Sequence, residues 1–97
     1  MKPSESLQLH RAAIRRIVER HGARNPRVFG SVLRGEDTEA SDLDILVDEI
    51  DGETTLISLV RIQAAIESLT GCRADVQTSL DLHERFRRQV VMEAQAL

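Results

Sequence analysis

The sequence predicts a small α/β sandwich, a three-stranded mixed sheet packed with helices, in a single domain spanning residues 1–97. Three observations carry this. Segments with the 3.6-residue apolar period of amphipathic helices alternate with short segments whose side chains follow the two-residue period of strands. One helical segment lies between the second and third strands, and such a crossover favours parallel pairing of the two strands it joins. Finally, 97 residues with 41% hydrophobic and 30% charged side chains suit one domain burying roughly two-thirds of its unfolded surface, with no room for a second core.

From Ser4 to His21 the apolar residues Leu7, Ile14, Ile17 and Val18 recur at helical spacing, with Ser4 as N-cap and Gly22 as stop. Arg11, Arg15, Arg16 and Arg20 lie mostly off that stripe and, interspersed with Glu19, read as a solvated face. After Pro26, Arg27-Val28-Phe29 reads as a brief strand that turns sharply at Gly30-Ser31 into a loop or helix. Glu36 to Ser41 is polar and aperiodic. Asp42 to Glu49 then alternates, with Leu43, Ile45 and Val47 on one face and Asp42, Asp44, Leu46 and Asp48 on the other, giving a strand with one acidic edge. Past Gly52, a helix over Thr54 to Thr70 carries Leu56, Leu59, Val60, Ile66 and Leu69 as its stripe and stops at Gly71. The third strand, around Cys72 to Thr78, turns Ala74 and Val76 one way and Arg73, Asp75 and Gln77 the other. Asp81 is expected to cap a last helix with Leu82, Phe86, Val90 and Leu97 along one side. Parallel pairing of the second and third strands would bring Asp75 beside Asp42 and Asp44.

Composition narrows the function classes. With 13 Lys and Arg against 16 Asp and Glu, the net charge is −3, which argues against a general nucleic-acid binder. Phe29 and Phe86 are the only aromatic residues besides the histidines, too few for a single-strand stacking platform, so no direct nucleic-acid binding is expected. The start lacks the apolar region of a signal peptide, and the run Ile45-Leu46-Val47 is far too short to cross a bilayer, so a cytoplasmic protein without membrane contact is expected. The lone Cys72 reads as a small buried apolar residue. His10, His21 and His83 lack ligand spacing, and Arg85, Arg87 and Arg88 read as a solvated basic face.

The chemistry lies elsewhere. Asp42 and Asp44, two apart on a strand, project from one face, where burial would demand a cation. Carboxylate oxygens suit Mg²⁺, which keeps waters and substrate phosphates among its ligands. With Asp75 alongside, three carboxylates can hold two Mg²⁺ ions, an arrangement that stabilises the attacking and leaving oxygens of displacement at phosphorus. Gly30 lets the backbone approach a phosphate, the Ser31 hydroxyl can bond one, and a helix starting there would add its positive end. Arg34, one turn on, is placed to counter triphosphate charge.

Gly30-Ser31, ten residues, then Asp42-Leu43-Asp44 resembles the Gly-Ser-x10-Asp-x-Asp signature of the DNA polymerase β-like nucleotidyltransferase superfamily. Arg34-Gly35-Glu36, Ser41 and the run Asp42 to Val47 are similar to its small stand-alone members, the minimal nucleotidyltransferases. Gly71 to Val76 resembles the strand that delivers their third carboxylate. The resemblance implies that Asp42, Asp44 and Asp75 bind catalytic Mg²⁺ while Gly30 and Ser31 hold the triphosphate of ATP. It further implies an antitoxin that neutralises a partner HEPN-family ribonuclease toxin by adenylylating one of its tyrosines. Two alternatives remain open at this point. One is an antitoxin acting by binding alone, and the other is a small-molecule nucleotidyltransferase of the antibiotic-modifying sort, against which the short chain argues because little is left to build an acceptor pocket.

Overall fold

The computed structural model describes residues 1–97. Helix α1 (Pro3–Arg20) leads into strand β1 (Ala23–Phe29), short helix α2 (Gly30–Arg34), strand β2 (Leu43–Glu49), helix α3 (Leu56–Thr70) and strand β3 (Ala74–Gln77). A 3₁₀ turn (Ser79–Asp81), helix α4 (Glu84–Glu93) and a two-residue strand β4 (Gln95–Ala96) complete the chain. The sheet order is β3-β2-β1-β4, with β2 and β3 parallel and the other pairs antiparallel. None of the helices is long and apolar enough to cross a membrane.

The sheet is mixed as expected but has four strands, not three. Gln95 and Ala96 pair with Val28 and Arg27, and the Leu97 N–H donates to the Pro26 carbonyl at 3.0 Å. The expected helix through Leu97 therefore stops at Glu93, where Ala94 turns extended (φ −56°, ψ 138°). Two residues are too few to display a strand period, so only the partner strand reveals them.

Strand β1 also begins earlier than Arg27. It passes through a bulge between Arg24 and Arg27, where Asn25 takes a positive φ of 55°, a region asparagine tolerates better than most residues. Helix α1 starts one residue before Ser4, with Pro3 at a first-turn position where its missing N–H costs nothing.

Helices α1 and α3 cover one face of the sheet. Leu7, Ile14 and Val18 of α1 and Ile62 and Ile66 of α3 close over Val28, Leu43, Ile45, Val47 and Val76. The α3 stripe is rotated from the one expected. Leu59, Ile66 and Leu69 pack on the core, but Leu56 and Val60 are 77% and 58% exposed, and Ser58 and Ile62 take the buried places. Thr55 caps α3, its side chain accepting the Ser58 N–H. On the outer edge of β3, the N–H groups of Ala74 and Val76 donate to Glu67 (3.0 Å) and Gln63 (3.2 Å) of α3, so that edge offers no free donors there for a foreign strand.

The other sheet face is covered only in part. Leu46 lies on it, outside the main core, yet is fully buried, so the acidic face of β2 is not wholly solvent-facing. Of the expected packing stripe, Leu82 is buried and Leu97 packs on the core, but helix α4 between them has no buried residue and Phe86 is 54% exposed. Asp81 does not cap α4. It accepts from the Thr78 N–H and hydroxyl, both at 3.0 Å, closing the 3₁₀ turn, and His83 caps α4 by accepting the Arg85 N–H.

Candidate functional site

Directly opposite residues on paired strands share a face. Phe29 pairs with Asp44 and Asp44 with Asp75, so these three form one row across β1, β2 and β3. The next row on that face is Arg27, Leu46 and Gln77. Between them Val28, Ile45 and Val76 point the other way, into the core. Alternation along β2 thus sends its aliphatic residues under the helices and leaves Asp44 beside Asp75, as parallel pairing required.

Asp44 is half-buried, and its pKa is raised from 3.8 to about 6. Burial is the main cause, followed by the negative charges of Asp75 and Asp42, with the Arg34 guanidinium pulling the other way. Asp42, just before β2, pairs with Arg73 (Nε to Oδ1, 3.0 Å), and Gln77 donates to Asp75 Oδ2 at 2.9 Å. Arg34 pairs with Glu36 at 3.2 Å on the rim.

Gly30 begins α2 at the end of β1 with φ +72°. A Cβ there would lie 3.1 Å from Cγ of Asp44 and closer still to its Oδ2. Glycine is needed for a left-handed backbone and also for room, because the Asp44 carboxylate fills the space a side chain would take. The first N–H groups of α2 have no acceptor within the helix, as at any helix start, and Ser31 stands among them half-buried. Gly35 ends the helix in the left-handed conformation after a single turn.

The structure thus brings Gly30, Ser31, Asp42, Asp44 and Asp75 to one end of the sheet, with Arg34 close enough to act on Asp44. The donor set fits a hard divalent cation: oxygen ligands only, on carboxylates whose mutual repulsion a cation would relieve. No group of three or more acidic, imidazole or thiol side chains forms a ready-made cage. Mg²⁺ does not require one, since it binds through one or two carboxylates and fills its remaining positions with water and phosphate.

A cleft of about 540 Å³ adjoins this end. Its walls are Phe29, Gly30, Leu33 and Arg34 on one side and Phe86, Gln89, Val90 and Glu93 of α4 on the other. It exists because α4 stands off the sheet. Sequence reasoning passed over Arg73 and Gln77 as partners of the carboxylates, although both share Asp75's side of the strand pattern. It also passed over the α4 wall, whose helical period was assigned to the core. Of the residues given no role, Arg87 donates to the carbonyls of Ser79 (2.8 Å) and Leu82 (3.1 Å), and Cys72 is half-buried.

Residues 11–97 match the family profile described as Nucleotidyltransferase domain. The chain belongs to the nucleotidyltransferase family. This nucleotidyltransferase is 36% identical over 78 residues to the Methanocaldococcus jannaschii protein called "Putative protein adenylyltransferase MJ0435", covering 80% of this chain and 83% of that one. It is 36% identical over 87 residues to Protein adenylyltransferase MntA of Thermococcus cleftensis, covering 90% and 84% of the two chains. Among solved structures, a "putative minimal nucleotidyltransferase" superposes with a TM-score of 0.85 at 45% identity, over 97% of this chain and 95% of that one. A chain from a crystal structure of a toxin-antitoxin with AMP-PNP shares the fold, with a TM-score of 0.69 at 19% identity over 84% of this chain and 66% of that one.

Proposed function

We propose that this nucleotidyltransferase is a magnesium-dependent protein adenylyltransferase, an antitoxin that moves AMP from ATP onto a tyrosine hydroxyl of a HEPN-family ribonuclease toxin in the cytoplasm. The observation that carries the reading is the row of Asp44 and Asp75, with Asp42 beside it, facing the glycine-serine start of α2. The names of the similar proteins support protein adenylylation, and the toxin-antitoxin neighbour supports a toxin partner.

In this reading Asp42, Asp44 and Asp75 hold two Mg²⁺ ions, and Gly30, Ser31 and Arg34 receive the triphosphate. Bound Mg²⁺ supplies charge neutralisation at the phosphates and at the oxygens that attack and leave. The chain's own contribution is position. The α2 N–H groups and the Ser31 hydroxyl bond phosphate oxygens, and Arg34 exchanges Glu36 for phosphate. The acceptor hydroxyl oxygen then bonds to the α-phosphorus in line as the bond to pyrophosphate breaks, and the hydroxyl proton passes to water at this open end of the sheet. A partner protein brings its own shaped surface to this open end, which eases that alignment.

Incubation with the co-encoded toxin, ATP and Mg²⁺ is expected to add about 329 Da per AMP transferred and to abolish RNA cleavage. Equal silencing by the Asp42→Asn, Asp44→Asn double variant, with no mass added by the wild type, would overturn catalysis in favour of binding alone. The cleft beside α4 favours a second reading, a small hydroxylated acceptor such as an antibiotic, which predicts mass gain on that molecule and none on the toxin.

A further inference from the structure

The cleft between α2 and α4 has a lining that phosphates do not need. The chain contains no Trp or Tyr and only two Phe, and both Phe29 and Phe86 line this cleft. Phe86 contributes nothing to the core: it is 54% exposed, on a helix without a buried residue. Both rings face one cleft, and clefts that take small molecules are lined largely by apolar and aromatic side chains with a few polar groups among them.

The wall is built. Phe86, Gln89, Val90 and Glu93 follow the i, i+3, i+4, i+7 spacing, so one face of α4 lines the cleft. The His83 Nδ1 accepts the Arg85 N–H at 3.1 Å, which holds the imidazole at the helix start. Its ring centroid lies 5.9 Å from that of Phe86, tilted by 53°. Arg87 latches the helix to the carbonyls of the preceding turn, so the wall keeps its place without a core contact.

The cleft carries charge of both signs: the Arg34 guanidinium lies in its lining with the carboxylates of Asp81, before α4, and Glu93, at the last turn of α4. Beside Glu93 stands the Gln89 carboxamide, which donates to it at 3.2 Å. A flat, neutral ring with polar edges fits this lining. The carboxamide can both donate and accept, and the carboxylate accepts from an exocyclic amino group.

We infer that the α4 wall is the nucleobase subsite: the base of the bound nucleotide packs on Phe86, and Gln89 and Glu93 meet its amino-bearing edge. This rests on the reading that the triphosphate lies at Gly30 and Ser31. A base with an exocyclic amino group, as in ATP, is then preferred over uracil, which presents only carbonyls and a ring N–H to the Glu93 carboxylate.

The test compares Mg·ATP with Mg·tripolyphosphate, which has the phosphates and no base, by calorimetry on the wild type, Phe86→Ala and Glu93→Gln. Phe86→Ala is expected to weaken Mg·ATP by about 10-fold, the usual scale of one base–aromatic contact, while leaving tripolyphosphate affinity and melting temperature unchanged. Glu93→Gln is expected to narrow the preference for ATP over UTP. Unchanged ATP affinity in Phe86→Ala, with tripolyphosphate bound normally, would overturn the subsite. Unchanged ATP affinity with slower transfer to the acceptor would also overturn it, giving the wall to the acceptor instead. A wild type that binds neither ligand would remove the triphosphate site itself, and this subsite with it.

Discussion

Replacing Gly30 by alanine should separate two costs that glycine avoids at once. The first is conformational, since at φ +72° an added Cβ crowds its own carbonyl and costs about 1–2 kcal/mol. Gly35 provides the standard for that cost alone, because its φ is +71° and a Cβ there meets no heavy atom within 4 Å. The second cost belongs only to Gly30, whose Cβ would press on Oδ2 of Asp44 and lie 3.1 Å from its Cγ. The carboxylate must yield, and a shift of about 1 Å in a reacting group can cost on the order of 100-fold in rate. Both variants are therefore expected to melt roughly 5–15 °C lower, from about 4–8 °C per kcal/mol for a domain of this size. Only Gly30→Ala should lose about 100-fold in single-turnover transfer and show weakened Mg²⁺-dependent ATP binding. Melting scans and rapid-quench assays below both melting temperatures would measure the two effects separately. Equal activity in Gly30→Ala and Gly35→Ala would refute the argument, since it would mean that the close approach to Asp44 has no bearing on the chemistry.

Other perturbations test the same geometry. Asp44→Asn is expected to slow transfer at least about 100-fold, roughly 2.7 kcal/mol, yet to stabilise the metal-free protein. The folded pKa is raised from 3.8 to about 6, so wild-type stability falls as pH rises through that window. The full shift corresponds to about 3 kcal/mol, which solvent screening of this half-exposed group reduces to about 1 kcal/mol. Denaturant melts of variant and wild type should therefore diverge between about pH 4 and 6 and stay apart above it; parallel curves would contradict the burial and repulsion at Asp44. Asp37 shows the opposite sign: the Ser4 N–H it accepts at 2.9 Å holds its pKa below the ordinary carboxylate value. Asp37→Ala should cost about 1–2 kcal/mol above pH 4, a difference that shrinks as acid protonates the wild-type carboxylate. Arg73→Ala frees Asp42 from an exposed ion pair, so its effect on stability should be under about 1 kcal/mol. Mg²⁺ affinity by calorimetry should rise, because no guanidinium competes; a fall would show that Arg73 aims Asp42 at the metal.

The sequence by itself determined the order of the main elements, because periods of 3.6 and 2 are properties of local chain geometry and survive without a partner. It also determined which carboxylates meet: two-residue alternation put Asp42 and Asp44 on one face, and the helix between β2 and β3 made their pairing parallel, which the ladder from Asp44 to Asp75 bears out. The glycine-serine turn was legible for the same local reason. What tertiary structure decided is which faces are covered. The periodic residues of α4 and the Leu56 and Val60 positions of α3 have the pattern of a core stripe, yet they are exposed or line the cleft. A period states that a helix has an apolar side and says nothing of what arrives to cover it. The two residues of β4, the link of Ser4 to Asp37 across 33 positions, and the pressing of Gly30 against Asp44 are contacts between distant segments. Their energies belong to neither segment alone, so they become readable only when the folded chain brings the pairs together.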